Sequence, residues 1–265
     1  MATNLPRRAL PALTAAAVVA ASAAAAAAED AVLDVGRGTE RIAFLIYPGF
    51  TALDVFGPHN MLAGLMPAAL QLVAASRAPV VTDTGVEVMP HAAFDEVATG
   101  LDVLCIPGGT MGTLEAMEDQ AVLGFLARQA PAARFVTAVC TGSLVLGAAG
   151  LLRGRRATSH WMVRDLLPLF GATPIEARVV EDGPLVTGAG VTAGMDFGLR
   201  LVARLRGAPY AKAVQLVAEY DPEPPFDAGS PDRAPPAITR QMREMFAPFH
   251  AEVRSRAEAF ARRNP

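Results

Sequence analysis

The sequence predicts an α/β fold with an open, mostly parallel sheet, and three observations support this prediction. Apolar runs of strand length alternate along the chain with segments of helical periodicity. Residues 41–47 and 101–106 are almost continuously apolar, as expected for strands covered on both faces. The chain has 265 residues, of which 52% are hydrophobic, so it can bury one sizeable core.

The elements are expected in a simple order. Strands are predicted at residues 41–47, 70–75, 101–106, 134–139, 157–160, 175–181 and 185–187, with a short antiparallel excursion at residues 80–88. Helices are predicted around Val55 to Leu62, after residue 140, and at residues 118–129, 161–167, 192–206, 210–220 and 238–263. Residues 221–236 are rich in proline and are expected to be irregular.

The amino terminus predicts an export signal peptide at residues 1–30. Arg7 and Arg8 precede an alanine-rich apolar run, and an Ala-x-Ala pattern ends just before Glu29. The paired arginines resemble a twin-arginine signal, and an uncleaved anchor is the alternative. We therefore expect a periplasmic or exported protein without stable membrane association after cleavage, with a cytoplasmic location as the alternative. Residues 38–208 form the predicted α/β domain, and residues 209–265 add C-terminal helices and the Pro-rich segment.

Composition and spacing argue against several classes of ligand. The formal net charge is -3, without the basic excess that nucleic-acid binding favours. The four histidines show no HxxxH spacing and no cysteine cluster accompanies them, so no metal site is predicted. The glycines of residues 187–190 do not follow the first strand, so a dinucleotide fingerprint is absent. We expect a small-molecule substrate and no cofactor.

Residues 135–147 have the pattern of a nucleophile elbow. An apolar, β-branched strand ends at Cys140, the small residues Ala138 and Gly142 flank it, and a helix follows. The amino end of that helix is expected to lower the pKa of the thiol. The alternative is that Cys140 is a buried apolar filler. Cys105 is interpreted as a structural thiol, although an exported protein could also join the two cysteines in a disulfide.

Three loops should meet at the carboxyl edge of the sheet, where open α/β folds keep their sites. They carry Asp54, the turn at Gly108 and Gly109, and the elbow with Cys140 and Thr141. A carboxylate within reach of a thiol can move its proton, and backbone N–H groups of the glycine turn and of residue 141 can stabilise negative charge. Asp54 could equally be an ordinary helix cap.

His160 lies 20 residues after the predicted nucleophile. A histidine beside a cysteine can activate the thiol, but a histidine next to Trp161 can also be structural. Both interpretations of His160 stay open.

The motifs resemble those of the PfpI/ThiJ superfamily. The resemblance rests on the elbow Ala-Val-Cys-Thr-Gly at residues 138–142, Pro-Gly-Gly at residues 107–109 and Asp-Val-Phe-Gly-Pro at residues 54–58. Longer blocks at residues 139–154, 157–161, 187–198 and 219–231 are similar to the isonitrile (isocyanide) hydratase branch, in which an Asp stands where other branches place a Glu. The resemblance implies a flavodoxin-like, doubly wound fold with helices on both faces of the sheet.

The resemblance also implies a function. Cys140 would be the nucleophile, Asp54 the general acid and base, and Thr141 an assisting residue, while the backbone of Val191 would lie near the thiolate. The expected reaction converts an isonitrile and water to an N-substituted formamide through a thioimidate on the cysteine, in a homodimer without a cofactor. The alternatives are another enzyme of the superfamily (amidase, peptidase or glyoxalase-like), a cysteine redox sensor, or the sensor half of an AraC-type regulator, for which too few residues follow residue 236.

Overall fold

The computed structural model describes residues 38–263 and contains eleven strands within them. The strands are β1 (Arg41–Leu45), β2 (Ala69–Ala74), β3 (Val80–Val81), β4 (Glu87–Val88), β5 (Ala92–Ala93), β6 (Val103–Ile106), β7 (Phe135–Val139), β8 (Arg156–Ala157), β9 (Thr173–Pro174), β10 (Val179–Asp182) and β11 (Leu185–Gly188). Seven of them form the central sheet in the order β10-β11-β7-β6-β1-β2-β5. Neighbours in this sheet are parallel except β10 and β11. The predicted signal peptide lies outside the described residues.

Helices surround the sheet. They are α1 (Ala52–Ala63), α2 (Thr110–Ala116), α3 (Gln120–Gln129), α4 (Gly142–Ala148), α5 (Ala193–Arg206), α6 (Ala208–Val217) and α7 (Pro236–Arg263), with 3-10 helices at Phe94–Glu96, Ala130–Ala132 and Arg164–Phe170. One group packs α1 on α5 and α5 on α6, and another places α2 against α4 and α7. This arrangement confirms the predicted doubly wound α/β fold with a C-terminal helical extension. In the described part of the chain, no helix is both long and apolar enough to span a membrane.

The strand order places the site. The chain runs from β1 outward to β2 and β5, and then returns to the other side of β1 as β6. The side on which the chain adds new strands therefore changes between β5 and β6, and the resulting switch point between β1 and β6 opens a crevice at the carboxyl ends of the strands. The two central strands are completely apolar inside the core, with Ile42 to Leu45 and Val103 to Ile106 all at most 3% exposed. The apolar runs in the sequence are thus explained by burial on both faces.

The structure differs from the prediction in several short elements. The helix expected at residues 161–167 is a 3-10 helix at Arg164–Phe170, because Pro168 has no N–H for an α-helical bond. The strand expected at residues 157–160 shortens to β8, which pairs with β9 outside the central sheet. Helix α2 and strands β5 and β9 were not predicted. All three are short, and none has enough residues to show a periodicity.

Candidate active site

Cys140 occupies a strained turn between β7 and α4. Its φ is 58°, a left-handed value that is uncommon for residues other than glycine. Three donors hold its carbonyl oxygen: Ser159 Oγ at 3.0 Å, the His160 N–H at 3.2 Å and Ser143 Oγ at 3.4 Å. The Cys140 N–H donates to Gly188 O at 3.1 Å, which continues the pairing of β7 with β11. The predicted strand-turn-helix geometry is therefore present, and its backbone is held on both sides.

Two glycines let the elbow approach the neighbouring loop closely. A Cβ on Gly142 would lie 2.5 Å from Ile106 O, and a Cβ on Gly108 would lie 2.6 Å from the Thr141 N and 3.0 Å from Asp54 Oδ2. Real Cβ atoms essentially never come closer than 3.0 Å, so a side chain at either position would force Ile106 O or the Thr141 N to shift. The loops after β1, β6 and β7 meet here only because these positions lack side chains.

Asp54 is buried at the start of α1, with 2% of its surface exposed. Its Oδ2 accepts a hydrogen bond of 2.8 Å from the Gly108 N–H, while its Oδ1 is buried without a hydrogen-bond partner. Burial raises the pKa of Asp54 to about 7, against the lowering effect of the Gly108 N–H and of the Cys140 thiol. The negative charge of Asp83 raises it further. Asp54 can therefore exchange a proton near neutral pH.

The surroundings of Cys140 favour a protonated thiol over a preformed thiolate. Burial and the charge of Asp54 raise the pKa of Cys140 well above its usual value, and the N–H and hydroxyl of Thr141 only partly oppose them. The expectation of a lowered pKa is therefore wrong. The side chain is 8% exposed and faces a carboxyl group, so the favourable helix end does not decide its protonation. The two groups titrate as a pair.

Thr141 belongs to a buried hydroxyl network. Its Oγ1 accepts a 3.1 Å bond from the Gly109 N–H and lies 2.7 Å from Thr113 Oγ1. Thr113 Oγ1 is 3.3 Å from the Tyr47 hydroxyl, which donates to Pro107 O at 2.7 Å. Burial raises the pKa of Tyr47, so its hydroxyl remains a donor. Sequence reasoning missed Thr113 and Tyr47, because no local pattern links residues so far apart in the chain.

The predicted oxyanion donors have partners within the site. The Gly108 N–H binds Asp54, and the Gly109 N–H binds the hydroxyl of Thr141. The Thr141 N–H lies against the thiol and lowers the pKa of Cys140. A role of these groups toward substrate charge stays a prediction.

His160 is a neutral residue behind the elbow. Burial lowers the pKa of His160 to about 4, and its Nδ1 lies 3.4 Å from the Met162 N–H. The backbone N–H of His160 binds the Cys140 carbonyl. An uncharged ring gives no electrostatic help to a thiolate, so the structure favours the supporting interpretation of His160. Val191 lies half-buried just before α5, and its predicted contact with the thiolate stays a prediction. No group of three or more possible metal ligands occurs among residues 38–263.

An open α/β sheet with a cysteine elbow beside its switch point defines a flavodoxin-like protein with a buried thiol and a buried carboxyl at the candidate site. Residues 40–204 match the DJ-1/PfpI family, and the chain belongs to this family. It is 49% identical over 222 residues to isonitrile hydratase of Pseudomonas putida, which covers 83% of this chain and 96% of that protein.

Two further relatives extend the comparison. A THiJ/PfpI family protein from Pseudomonas syringae has a TM-score of 0.81 and 49% identity over 88% of this chain and 98% of its own. The HTH-type transcriptional regulator CdhR of Pseudomonas aeruginosa is 32% identical over 178 residues, which is 64% of this chain and 52% of the regulator. The two more similar proteins match along nearly their whole length, whereas the regulator matches along about half.

Proposed function

We propose that the protein hydrates an isonitrile to an N-substituted formamide, with Cys140 as nucleophile and Asp54 as general acid and base. The observation that carries the proposal is that a thiol and a carboxyl are buried together, so that each changes the pKa of the other. The nearby N–H groups of Gly108 and Gly109 bind Asp54 and Thr141. Attack on an isonitrile leaves the negative charge on carbon, where a proton donor is needed rather than an oxyanion hole. The similarity to isonitrile hydratase supports the same reaction.

The first step makes a thioimidate. Ionised Asp54 accepts the thiol proton, the sulfur forms a bond to the terminal carbon of R–N≡C, and Asp54 returns the proton to that carbon or to the nitrogen. Delivery to carbon gives R–N=CH–S–Cys140 without a net gain or loss of protons. The isonitrile group is linear, so its terminal carbon can reach a thiol that is only 8% exposed.

The second step uses water. Asp54 takes a proton from a water molecule as the water oxygen bonds to the thioimidate carbon, and Asp54 passes this proton to the nitrogen. The adduct R–NH–CH(OH)–S–Cys140 then collapses, the C–S bond breaks, and the sulfur leaves as a thiol with the hydroxyl proton. The products are R–NH–CHO and the free enzyme. Thr141 orients the water in this scheme.

The acyl-transfer and redox alternatives fit the site less well. Amide or peptide hydrolysis develops charge on oxygen and needs free oxyanion donors, whereas two of the three predicted donors bind groups inside the site. Oxidation by peroxide depends on thiolate character and exposure, and burial raises the pKa of Cys140. A DNA-binding role is also disfavoured, because residues 218–235 separate α6 from α7 and leave no helix-turn-helix pair in the described C-terminal part of the chain.

We also infer a homodimer. Apolar side chains on α1 (Leu53 and Phe56) and at the end of α6 (Leu216 and Val217) are 40–88% exposed, and α5 packs against both helices. Large exposed apolar surfaces mark interfaces. Light scattering of the purified protein should give twice the chain mass, and Phe56→Glu should lower it, whereas Ile238→Glu on α7, which packs with the other group of helices, should not. A wild-type monomer would contradict the inference.

Export is the proposed destination of the chain, supported only by the pattern of residues 1–30. Fractionation of cells that produce the full chain should find the mature protein in the periplasm or medium, with an amino terminus near residue 29. A full-length protein in the cytoplasm would contradict export.

Formamide production from an alkyl isonitrile tests the function directly. Wild-type protein should form the formamide, Cys140→Ala should lose it, and Cys105→Ala should keep it. Cys105 is the matched control because it is also buried and lies on the neighbouring strand. A panel with amides, peptides and methylglyoxal distinguishes the other enzymes. Full turnover by Cys140→Ala would refute the proposal.

A further inference from the structure

Thr51 and Asp54 have the spacing of a capping box at the start of α1. Thr51 is the N-cap, and Asp54 is the third helical residue. In a capping box the N-cap hydroxyl accepts the N–H of that third residue, and the acidic side chain accepts the N-cap N–H. Closing the box would turn the Asp54 carboxyl back onto its own helix.

The structure keeps this box open. The Thr51 side chain makes no capping bond. The backbone N–H of Thr51 donates to Gly108 O at 2.9 Å rather than to the Asp54 carboxyl. The Asp54 carboxyl accepts from the Gly108 N–H at 2.8 Å. The Thr51 N–H and the Asp54 carboxyl therefore both bind the backbone of Gly108 in the glycine turn, and Asp54 stays beside Cys140.

Asp83, at the β3–β4 hairpin, takes the Thr51 hydroxyl. The Thr51 Oγ1 donates to Asp83 Oδ2 at 2.6 Å, and the Asp83 N–H donates to Phe50 O at 3.0 Å. The Gly49 N–H donates to Val81 O at 2.8 Å, so the hairpin binds the loop between β1 and α1 at three points. The Thr51 hydroxyl, which could cap α1, therefore binds the Asp83 carboxylate of a separate element.

We propose that Asp83 is a positioning residue for Asp54: by binding the Thr51 hydroxyl, it stops the capping box from closing and leaves the Asp54 carboxyl on Gly108 and Cys140. The role rests on the proposed function only where catalysis is measured. The ionisable groups that face Asp54 are Cys140 on the elbow, Asp83 on the hairpin and Tyr47 after β1, and the charge of Asp83 supports the role by raising the pKa of Asp54.

The test uses variants that separate a restraint on Thr51 from a general role in folding. Asp83→Ala frees the hydroxyl and should lower formamide production about ten-fold or more, since displacing a catalytic group by about 1 Å is costly. Asp83→Asn keeps an acceptor for the hydroxyl and should stay within about three-fold of wild type. The double variant Thr51→Val/Asp83→Ala has no hydroxyl to restrain, and it should recover most of the lost rate.

A second measurement does not depend on isonitriles. The rate at which iodoacetamide alkylates Cys140 is followed against pH. Withdrawal of Asp54 removes the charge that opposes ionisation of Cys140, so the profile of Asp83→Ala should move to lower pH, and that of the double variant should return. Glu87→Ala, an exposed carboxylate on β4, is the matched control and should leave both measurements unchanged.

The outcomes decide separately between the two proposals. Rescue by Thr51→Val in both measurements supports the positioning role. A double variant as impaired as Asp83→Ala overturns it, and so does an alkylation profile that Asp83→Ala leaves in place. If wild type makes no formamide, the proposed function fails, while the alkylation profiles still test the role of Asp83.

Discussion

Two free, buried cysteines on neighbouring strands have different surroundings. Cys105 lies inside β6 and is 3% exposed, while Cys140 lies just beyond β7 and is 8% exposed. Burial raises the pKa of Cys105 to about 12, opposed only by a hydrogen bond with Thr137. Burial also raises the pKa of Cys140, but the charge of Asp54 acts on it as well. Burial is therefore common to both thiols, and the acid–base partner distinguishes them.

The backbone differs as much as the side-chain surroundings. Cys105 pairs with Phe44 of β1 on one side and with Thr137 of β7 on the other, in regular ladder positions. Continuing the second register places Cys140 level with Gly108, where both strands have ended. Its φ of 58° turns it out of the ladder toward the loops after β1 and β6. Cys140 thus lies three residues beyond the partner of Cys105 on β7, and this small shift separates a structural thiol from a candidate nucleophile.

Asp54→Asn is the change that should make Cys140 most like Cys105. The amide keeps an oxygen for the Gly108 N–H but cannot take the thiol proton, so formamide production should fall by about 10²–10⁴-fold. Initial rates with one alkyl isonitrile measure the effect. Asp102→Asn is a suitable control, because Asp102 also accepts a backbone N–H, at 2.9 Å from Arg41, beside the opposite end of the same strands. Equal losses in the two variants would mean that Asp54 has only a structural role.

The same substitution should change how stability depends on pH. The pKa of Asp54 rises from 3.8 to about 7 on folding, so the folded state holds this proton more tightly than the unfolded state. The stabilisation that this gives is complete below pH 3.8 and is lost as the pH rises through about 7.

The amide that replaces the carboxyl has no proton to lose. The free energy of unfolding of Asp54→Asn, measured relative to that of wild type, should therefore increase by about 2 kcal/mol from pH 5 to pH 8. Urea unfolding at the two pH values measures the free energy of unfolding of each protein. A stability difference that does not change with pH would show that Asp54 ionises as an ordinary surface carboxyl does.

The sequence predicted the parts of this site that are written in local patterns. Apolar runs that end in Pro and Gly located β1 and β6, and the change from β-branched to small residues located the elbow. The partners that hold the elbow were not predictable, since Ser159 meets Cys140 and Thr113 meets Thr141 only after the chain has folded. The direction of the Cys140 pKa was also missed, because burial depends on packing that a local motif does not show.

Removing a hydrogen bond to the Cys140 carbonyl should have the smallest effect on activity and stability. It tests whether the side chains around the elbow contribute to the difference between the two cysteines. Cys105 lies in a ladder that needs no side-chain support, whereas the turned-out Cys140 has Ser159 Oγ at 3.0 Å and Ser143 Oγ at 3.4 Å. Ser159→Ala should lower the free energy of unfolding by about 1 kcal/mol and slow formamide production a few-fold, because a buried acceptor loses a donor and the elbow loosens.

Ser143→Ala should do less on both counts, since its bond to the same carbonyl is longer, and Ser159→Thr, which keeps the hydroxyl, should stay close to wild type. Urea unfolding and initial rates on the three variants rank the two bonds. Ser159→Ala with wild-type stability and rate would show that Ser143, the His160 N–H and the sheet hold Cys140 in its left-handed conformation without Ser159. The difference between the two cysteines would then rest on Asp54 rather than on the bond from Ser159.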